Sequence, residues 1–184
     1  MFVTYSGAST SVDAWVFQVR SSGEISNIGP VNLVAGQAST RLSEATNFDL
    51  DGDGTQELIS KTGTETTSGT PIYHLDDRGE YNLWKVVSFI RVFTRGVEES
   101  THHQSTVGPL GFTTLQVVTG DSSLTDARIR SAEVKLNGLV VVPPGEFGEE
   151  IGNITVPVDL RSEVNSIEVV LSGSPGKRLA LMVE

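Results

Sequence analysis

The fold class is indicated most clearly by residues 130–142, Arg130-Ser-Ala-Glu-Val-Lys-Leu-Asn-Gly-Leu-Val-Val-Val142. Its residues alternate between two faces, and one face carries Arg130, Ala132, Val134 and Leu136. A period of two is that of a β-strand buried on one side. Asn137-Gly138 then forms the strongest short signal for a type I′ hairpin. The stretch predicts two antiparallel strands and an all-β fold.

The segments around it repeat this alternation. Residues 88–93 predict a strand, and Ile154, Val156, Val158 and Leu160 form an inward row. Pro157 falls on the outward set, which points to a strand at a sheet edge. A further row, Ile167, Val169 and Leu171, is expected to pair with Leu179, Leu181 and Val183 across the turn at residues 173–176. Six or seven such strands predict an antiparallel β-sandwich over residues 87–184.

Residues 1–86 predict a separate module of short strands and hairpins. An ungapped alignment of the sequence with itself at an offset of 56 residues pairs residues 2–4 with 58–60 and Phe17 with Tyr73. A period near fifty is typical of propeller blades with four short strands. We therefore expect an incomplete propeller-like β-module of about one and a half blades. On this alignment we expect the chain to begin within a repeat and to be a C-terminal fragment of a larger protein.

Asp49-Leu-Asp-Gly-Asp-Gly-Thr-Gln-Glu57 is the segment with the clearest chemistry. Carboxylates fall on every second residue, and two glycines let the backbone curl. The predicted metal ligands are the side chains of Asp49, Asp51, Asp53 and Glu57 and the backbone carbonyl of Thr55. Six to eight oxygens suit Ca²⁺, whereas Mg²⁺ prefers a rigid octahedral site with retained waters. The sequence therefore predicts a calcium site.

The loop is not an EF-hand. An EF-hand needs a bidentate Glu at its twelfth position, which is Ser60 here, and it needs flanking helices. The flanking residues instead predict a strand before the loop and a strand after it.

The spacing of this loop resembles that of the FG-GAP or VCBS repeats, the integrin-like calcium-binding family. Their Asp-x-Asp-x-Asp-Gly-x-x-acid pattern is matched by Asp49, Asp51, Asp53, Gly54 and Glu57, with Glu where Asp is more usual. The resemblance implies calcium between two strands of a blade. Residues 131–147 and 165–173 resemble a β-sandwich appended to bacterial surface proteins, a family without assigned chemistry.

Composition narrows the function classes. With 23 Asp and Glu against 13 Lys and Arg, the net charge is −10, which argues against a nucleic-acid partner. The absence of cysteine excludes disulfides, thiol catalysis and zinc–thiolate sites. No apolar segment is long enough to span a membrane. Weak calcium sites fill where the ion is near millimolar, which favours an extracellular or bacterial cell-surface location.

Catalytic signals are sparse. His102 and His103 are expected in a polar loop, and the sequence has no nucleophile elbow or phosphate-binding loop. Adjacent carboxylates such as Asp76 and Asp77 leave open a hydrolase that acts on glycans. Trp84 lies in an alternating strand and is expected in the core, although Trp15 and Trp84 together would suit a ligand platform.

The sequence thus predicts a calcium-binding, non-catalytic binding or adhesion module with a protein or glycan ligand. The alternative is a carbohydrate-binding accessory module of a polysaccharide-degrading enzyme, with Phe112 and Phe147 as its candidate aromatics. Strand edges left exposed by a missing blade favour a homodimer.

Overall fold

The computed structural model describes residues 2–6, 13–19, 25–32, 44–61, 69–98, 101–106, 111–120, 128–148, 151–161 and 164–184. The chain divides into two compact units. One comprises residues 1–48 and 55–86, and the other comprises residues 49–54 and 87–184. Regular structure in the described residues consists of strands and a single 3₁₀ turn at Pro144–Glu146. None of their helical structure is long and apolar enough to cross a bilayer.

A seven-stranded sheet forms the first unit. Its strands are β1 (Phe2–Ser6), β2 (Asp13–Val19), β3 (Ile25–Asn32), β4 (Glu44–Phe48), β5 (Glu57–Lys61), β6 (Thr70–Leu75) and β7 (Tyr81–Val87). Their order across the sheet is β1-β2-β3-β7-β6-β5-β4. The described pairings within β1–β3 and β4–β6 are antiparallel, and a single parallel bridge, Val31 to Tyr81, joins β3 to β7.

The strand positions follow the 56-residue offset. Shifted by that amount, β1 falls on residues 58–62, β2 on 69–75 and β3 on 81–88. These ranges lie within one residue of β5, β6 and β7 at either end. The two sets of three strands therefore lie in mirrored order, β1-β2-β3 followed by β7-β6-β5, and β4 is a fourth strand beside β5.

Two four-stranded sheets form the second unit. Its strands are β8 (Phe89–Thr94), β9 (Thr101–Thr106), β10 (Gly111–Val118), β11 (Ala132–Leu136), β12 (Leu139–Val142), β13 (Asn153–Leu160), β14 (Asn165–Leu171) and β15 (Arg178–Val183). One sheet has the order β13-β10-β15-β8, and the other has the order β12-β11-β14-β9. Apolar side chains from both sheets form one buried cluster. This arrangement confirms the all-β class and the antiparallel β-sandwich.

The buried cluster contains the alternating rows that the sequence predicted, except for Arg130, which precedes β11 and is exposed. Ala132, Val134 and Leu136 are buried, as are Ile154, Val158 and Leu160. Pro157 is exposed on β13, and β13 is an edge strand as predicted. Side chains at every second position meet the opposite sheet, because successive residues of a strand point to opposite faces.

The pairing predicted for the last two strands is wrong. β14 is bonded to β9 and β11, whereas β15 is bonded to β10 and β8 in the other sheet. The turn at residues 173–176 therefore crosses from one sheet to the other. The alternation of apolar residues shows which side chains face the core. Two strands of one hairpin and two strands that face each other across a sandwich have the same alternation, so the pattern does not distinguish the two arrangements.

The hairpin between β11 and β12 has the predicted turn. Asn137 and Gly138 both have positive φ, 52° and 81°, as a type I′ turn requires. The side-chain oxygen of Asn137 accepts from the Ser166 N–H at 3.0 Å, and its Nδ2 donates to Oδ1 of the fully buried Asn165 at 2.9 Å. These bonds tie the turn to the start of β14.

Candidate metal centre

The acidic loop joins β4 to β5, two antiparallel strands whose last register pair is Phe48 with Glu57. The strand–loop–strand context predicted from the sequence is therefore confirmed. Gly52 and Gly54 have φ of 83° and 90°. This left-handed backbone strains residues that carry a Cβ, and it lets the loop turn twice within three residues.

Asp49 is buried and accepts hydrogen bonds from the backbone of the loop. Its side chain is fully buried, and its two carboxylate oxygens accept from the N–H groups of Gly52 at 2.7 Å and Gly54 at 3.1 Å. Asp51 and Asp53 are exposed, and Asp51 accepts from the Asp53 N–H at 3.2 Å. Hydrogen bonds to a charged acceptor are about twice as strong as neutral ones. The buried Asp49 carboxylate therefore stabilises the turned backbone conformation of the loop.

The loop brings three of the predicted ligands together. Asp49, Asp51 and Asp53 each offer a carboxylate oxygen, and these three oxygens lie within 4.8 Å of one another. Like charges at this separation repel, and a cation placed among them removes the repulsion. A set of hard carboxylate oxygens suits Ca²⁺ or Mg²⁺ rather than a soft transition metal.

The remaining predicted ligands lie after the turn. Thr55 is half-buried, and Glu57 is fully buried as the first residue of β5. Glu57 contacts His74 on β6, with 2.9 Å between its Oε1 and Nδ1 of the imidazole. This contact was not predicted from the sequence. The register of the two strands explains the contact, because pairing Leu58 with Tyr73 places Glu57 opposite His74.

Neighbouring polar groups of the first unit bond to Gln56, the residue that precedes Glu57. The Tyr81 hydroxyl donates to the Gln56 carbonyl at 3.4 Å, and Nδ2 of Asn47 donates to the Gln56 side-chain oxygen. Burial raises the pKa of Tyr81, and the negative charge of Glu57 raises it further. Tyr81 therefore stays protonated and acts as a hydrogen-bond donor.

The histidine pair does not lie in a loop. His102 and His103 are both in β9, so the expectation of a polar loop is wrong. His103 Nδ1 is 3.6 Å from Glu168 Oε2, and the His102 ring packs at 5.6 Å from that of Phe93. The two rings thus make separate contacts, as expected for adjacent residues of a strand.

Asp76 has a structural role in the turn between β6 and β7. It accepts from the N–H groups of Arg78 at 2.9 Å and Glu80 at 3.0 Å, and from the Asn82 side chain at 3.0 Å. The hydrogen bond from Glu80 is the largest of the effects that lower its pKa. A carboxylate held in this way stabilises a turn, and it is a poor general acid.

The aromatic side chains differ from expectation. Trp84 is 41% exposed on β7, so its predicted place in the core is wrong. Its ring lies 6.4 Å from that of His74, and the Lys85 ammonium lies 4.5 Å from its centroid. Phe147, a candidate for an exposed aromatic row, is buried in the sandwich. The side chains of Trp15 and Phe112 lie outside the described part of the chain.

Comparison with known proteins gives distant structural similarity alone. No protein-family model and no curated protein matches the chain. Among solved structures it is similar to a family 35 carbohydrate binding module from Clostridium thermocellum, with 11% identity, a TM-score of 0.27, and 78% of this chain and 94% of that chain covered. It is also similar to an exo-beta-1,3-galactanase from Phanerochaete chrysosporium in complex with beta-1,3-galactotriose, with 16% identity and a TM-score of 0.30. That alignment covers 94% of this chain and half of the galactanase chain. At these values we transfer neither ligand nor activity to this protein.

Proposed function

We propose that the acidic loop binds one Ca²⁺ and that the protein is a calcium-stabilised, non-catalytic binding or adhesion module. The observation that carries this proposal is the convergence of three carboxylate oxygens, from Asp49, Asp51 and Asp53, within 4.8 Å. Thr55 and Glu57 complete the predicted ligand set by their spacing in the loop. Sites of this kind in extracellular modules fill at millimolar calcium, so the proposed location is outside the cell or at its surface.

The three aspartates differ in burial and hydrogen bonding, and this difference supports a role in metal binding. The two backbone N–H bonds to Asp49 shape the loop before any ion arrives. Asp51 and Asp53 are exposed, so their charges face water and are accessible to an incoming cation. A loop that is already curled loses less conformational entropy when the ion binds, which favours affinity.

The matching strand positions support a repeat origin for the first unit. Three successive strands recur at the 56-residue offset, and the acidic loop precedes the second set. We propose on this basis that the unit is of the FG-GAP or VCBS type. The homodimer through sheet edges stays a prediction, which sedimentation of the purified chain would check.

Calorimetric titration of the chelator-treated protein with CaCl₂ tests the proposal. We expect one saturable site with a Kd of about 10⁻⁴ to 10⁻³ M, and weaker binding of Mg²⁺. The Asp53→Asn variant should bind about tenfold more weakly, because one charged ligand is lost. Asp77→Asn is the matched control, since it removes an exposed carboxylate outside the loop. Equal affinity in the Asp53 variant and the parent would overturn the assignment.

A second candidate function rests on Trp84. The Trp84 indole is 41% exposed, with the Lys85 ammonium over one face of its ring and the His74 imidazole nearby. A sugar ring could stack on the other face while these polar groups bind its hydroxyls. Affinity electrophoresis in gels containing xylan, mannan or β-glucan would test it. Retardation that disappears in Trp84→Ala and persists in Val86→Ala would favour glycan binding. Unretarded migration of the parent in every gel would exclude these glycans as ligands.

A further inference from the structure

A group of basic residues meets at one end of the sandwich, in a chain whose net charge is −10. Arg128, Arg130 and Lys177 line a cavity of about 290 Å³. The other lining residues are small and hydroxyl-rich: Ser131, Ser172, Gly173 and Ser174. Among the described residues, those that line this cavity include three cations and no carboxylate.

The backbones of two further basic residues adjoin this lining. Arg128 forms a parallel bridge with Arg178, and the Arg95 N–H donates to the Lys177 carbonyl at 2.8 Å. With Arg130, these residues account for five of the 13 Lys and Arg in the whole chain. The concentration is therefore produced by the fold, since Arg95, Arg128 and Lys177 are far apart in sequence.

The rim of the cavity is fixed by the turn between β14 and β15. The Ser172 N–H donates to the Ser131 carbonyl at 3.0 Å, and the Gly176 N–H donates to the Arg95 carbonyl at 2.8 Å. These bonds anchor both ends of the turn, so the serines at residues 172 and 174 are held beside the cations. An anion that enters the cavity is attracted by the cationic groups that line it.

We propose that this cavity binds the oxyanion of a small ligand, namely a carboxylate, a sulfate or a phosphate. The planar guanidinium groups can bind two oxygens of such a group at once, Lys177 adds a point charge, and the serine hydroxyls donate further hydrogen bonds. The cavity volume is at the lower end of ligand pockets, which suits a single acidic sugar or a free anion. The site lies in the sandwich and is independent of the proposed calcium loop.

The experiment is an NMR titration of the ¹⁵N-labelled full chain with sodium sulfate, sodium phosphate or sodium glucuronate, with glucose as the neutral control. Ionic strength is held constant, because salt screens charges at the surface. We expect saturable shifts of the backbone amides of Ser131, Ser172 and Ser174 with at least one anion, and none with glucose. The double variant Arg130→Gln/Lys177→Gln should bind about tenfold more weakly or worse, since two charge-assisted bonds are lost.

Arg161→Gln is the matched control, because Arg161 is an exposed cation of the same unit that does not line the cavity. It should retain the affinity of the parent. Tighter binding of glucuronate would identify a carboxylate-bearing sugar as the ligand class, and tighter binding of sulfate or phosphate would identify an esterified one. If the double variant fails to fold, Arg130→Gln alone replaces it, since this side chain is exposed. The proposal is overturned if no anion saturates these amides, or if the variant binds as tightly as the parent.

Discussion

Asp49→Asn should destabilise the metal-free protein, whereas Asp51→Asn should not. The Asp49 carboxylate is buried and accepts two backbone N–H groups, at 2.7 and 3.1 Å. An amide has one acceptor oxygen, so its NH₂ group would face one of these two donors. Losing one hydrogen bond to a charged group and weakening the other should cost about 2–4 kcal/mol.

Asp51 provides the matched comparison within the same loop. It is exposed, and it accepts from the Asp53 N–H at 3.2 Å. Its charge lies near those of Asp49 and Asp53, so neutralising it relieves repulsion when no cation is present. The stability of Asp51→Asn in chelator should therefore equal or slightly exceed that of the parent.

Urea denaturation in chelator, followed by far-UV circular dichroism, measures both effects. A lower midpoint with an unchanged slope would show a loss of stability without a change in the surface exposed on unfolding. An Asp49→Asn midpoint equal to that of the parent would refute the role of the buried carboxylate. Equal losses of stability in Asp49→Asn and Asp51→Asn would refute the proposal that Asp49 stabilises the loop conformation while Asp51 is available to the ion.

Three further predictions concern the sandwich. Gly138→Ala should cost about 1–2 kcal/mol because its φ of 81° strains a residue with a Cβ, while Gly145→Ala, in open space without a positive φ, should leave the thermal midpoint unchanged. Leu181→Ala should cost about 2–5 kcal/mol in urea denaturation, because its side chain is fully buried in the cluster between the sheets; a smaller loss would contradict that packing. Lys135→Met should raise the pKa of Glu168, which the Lys135 ammonium at 2.8 Å now holds below its ordinary value, and NMR titration of the carboxyl carbon would measure the change. A carboxyl group whose pKa is lowered in the folded protein stabilises it, and this stabilisation is lost as the pH falls through that lowered pKa. The free energy of unfolding of Lys135→Met should therefore fall less steeply in acid than that of the parent. An unchanged Glu168 pKa in the variant would contradict the ion pair between Lys135 and Glu168.

The sequence predicted those parts of the fold that depend on short-range patterns. The Asn137-Gly138 turn and the edge position of Pro157 follow from backbone chemistry at single residues. The sheet membership of β14 and β15 depends on which distant strands they meet, β9 and β10 among them. No local pattern specifies that choice, so the predicted hairpin was wrong.

The candidate site shows the same limit. Spacing alone indicated that Asp49, Asp51 and Asp53 would converge, because all three lie in one short loop. The contact of Glu57 with His74 needed the register of β5 against β6. Trp84 was misplaced because β7 is not strictly alternating, with Leu83 and Trp84 both exposed although they are adjacent.

The most direct test of the calcium proposal is a thermal melt of the parent protein in a calcium series against chelator. If the loop binds the ion in the folded state alone, stability should rise by about 2.7 kcal/mol at a calcium concentration one hundred times the Kd. The melting temperature should then increase with calcium, and Asp53→Asn should lose most of the increase. An identical melting temperature in calcium and chelator would contradict the proposal that the acidic loop is a calcium site.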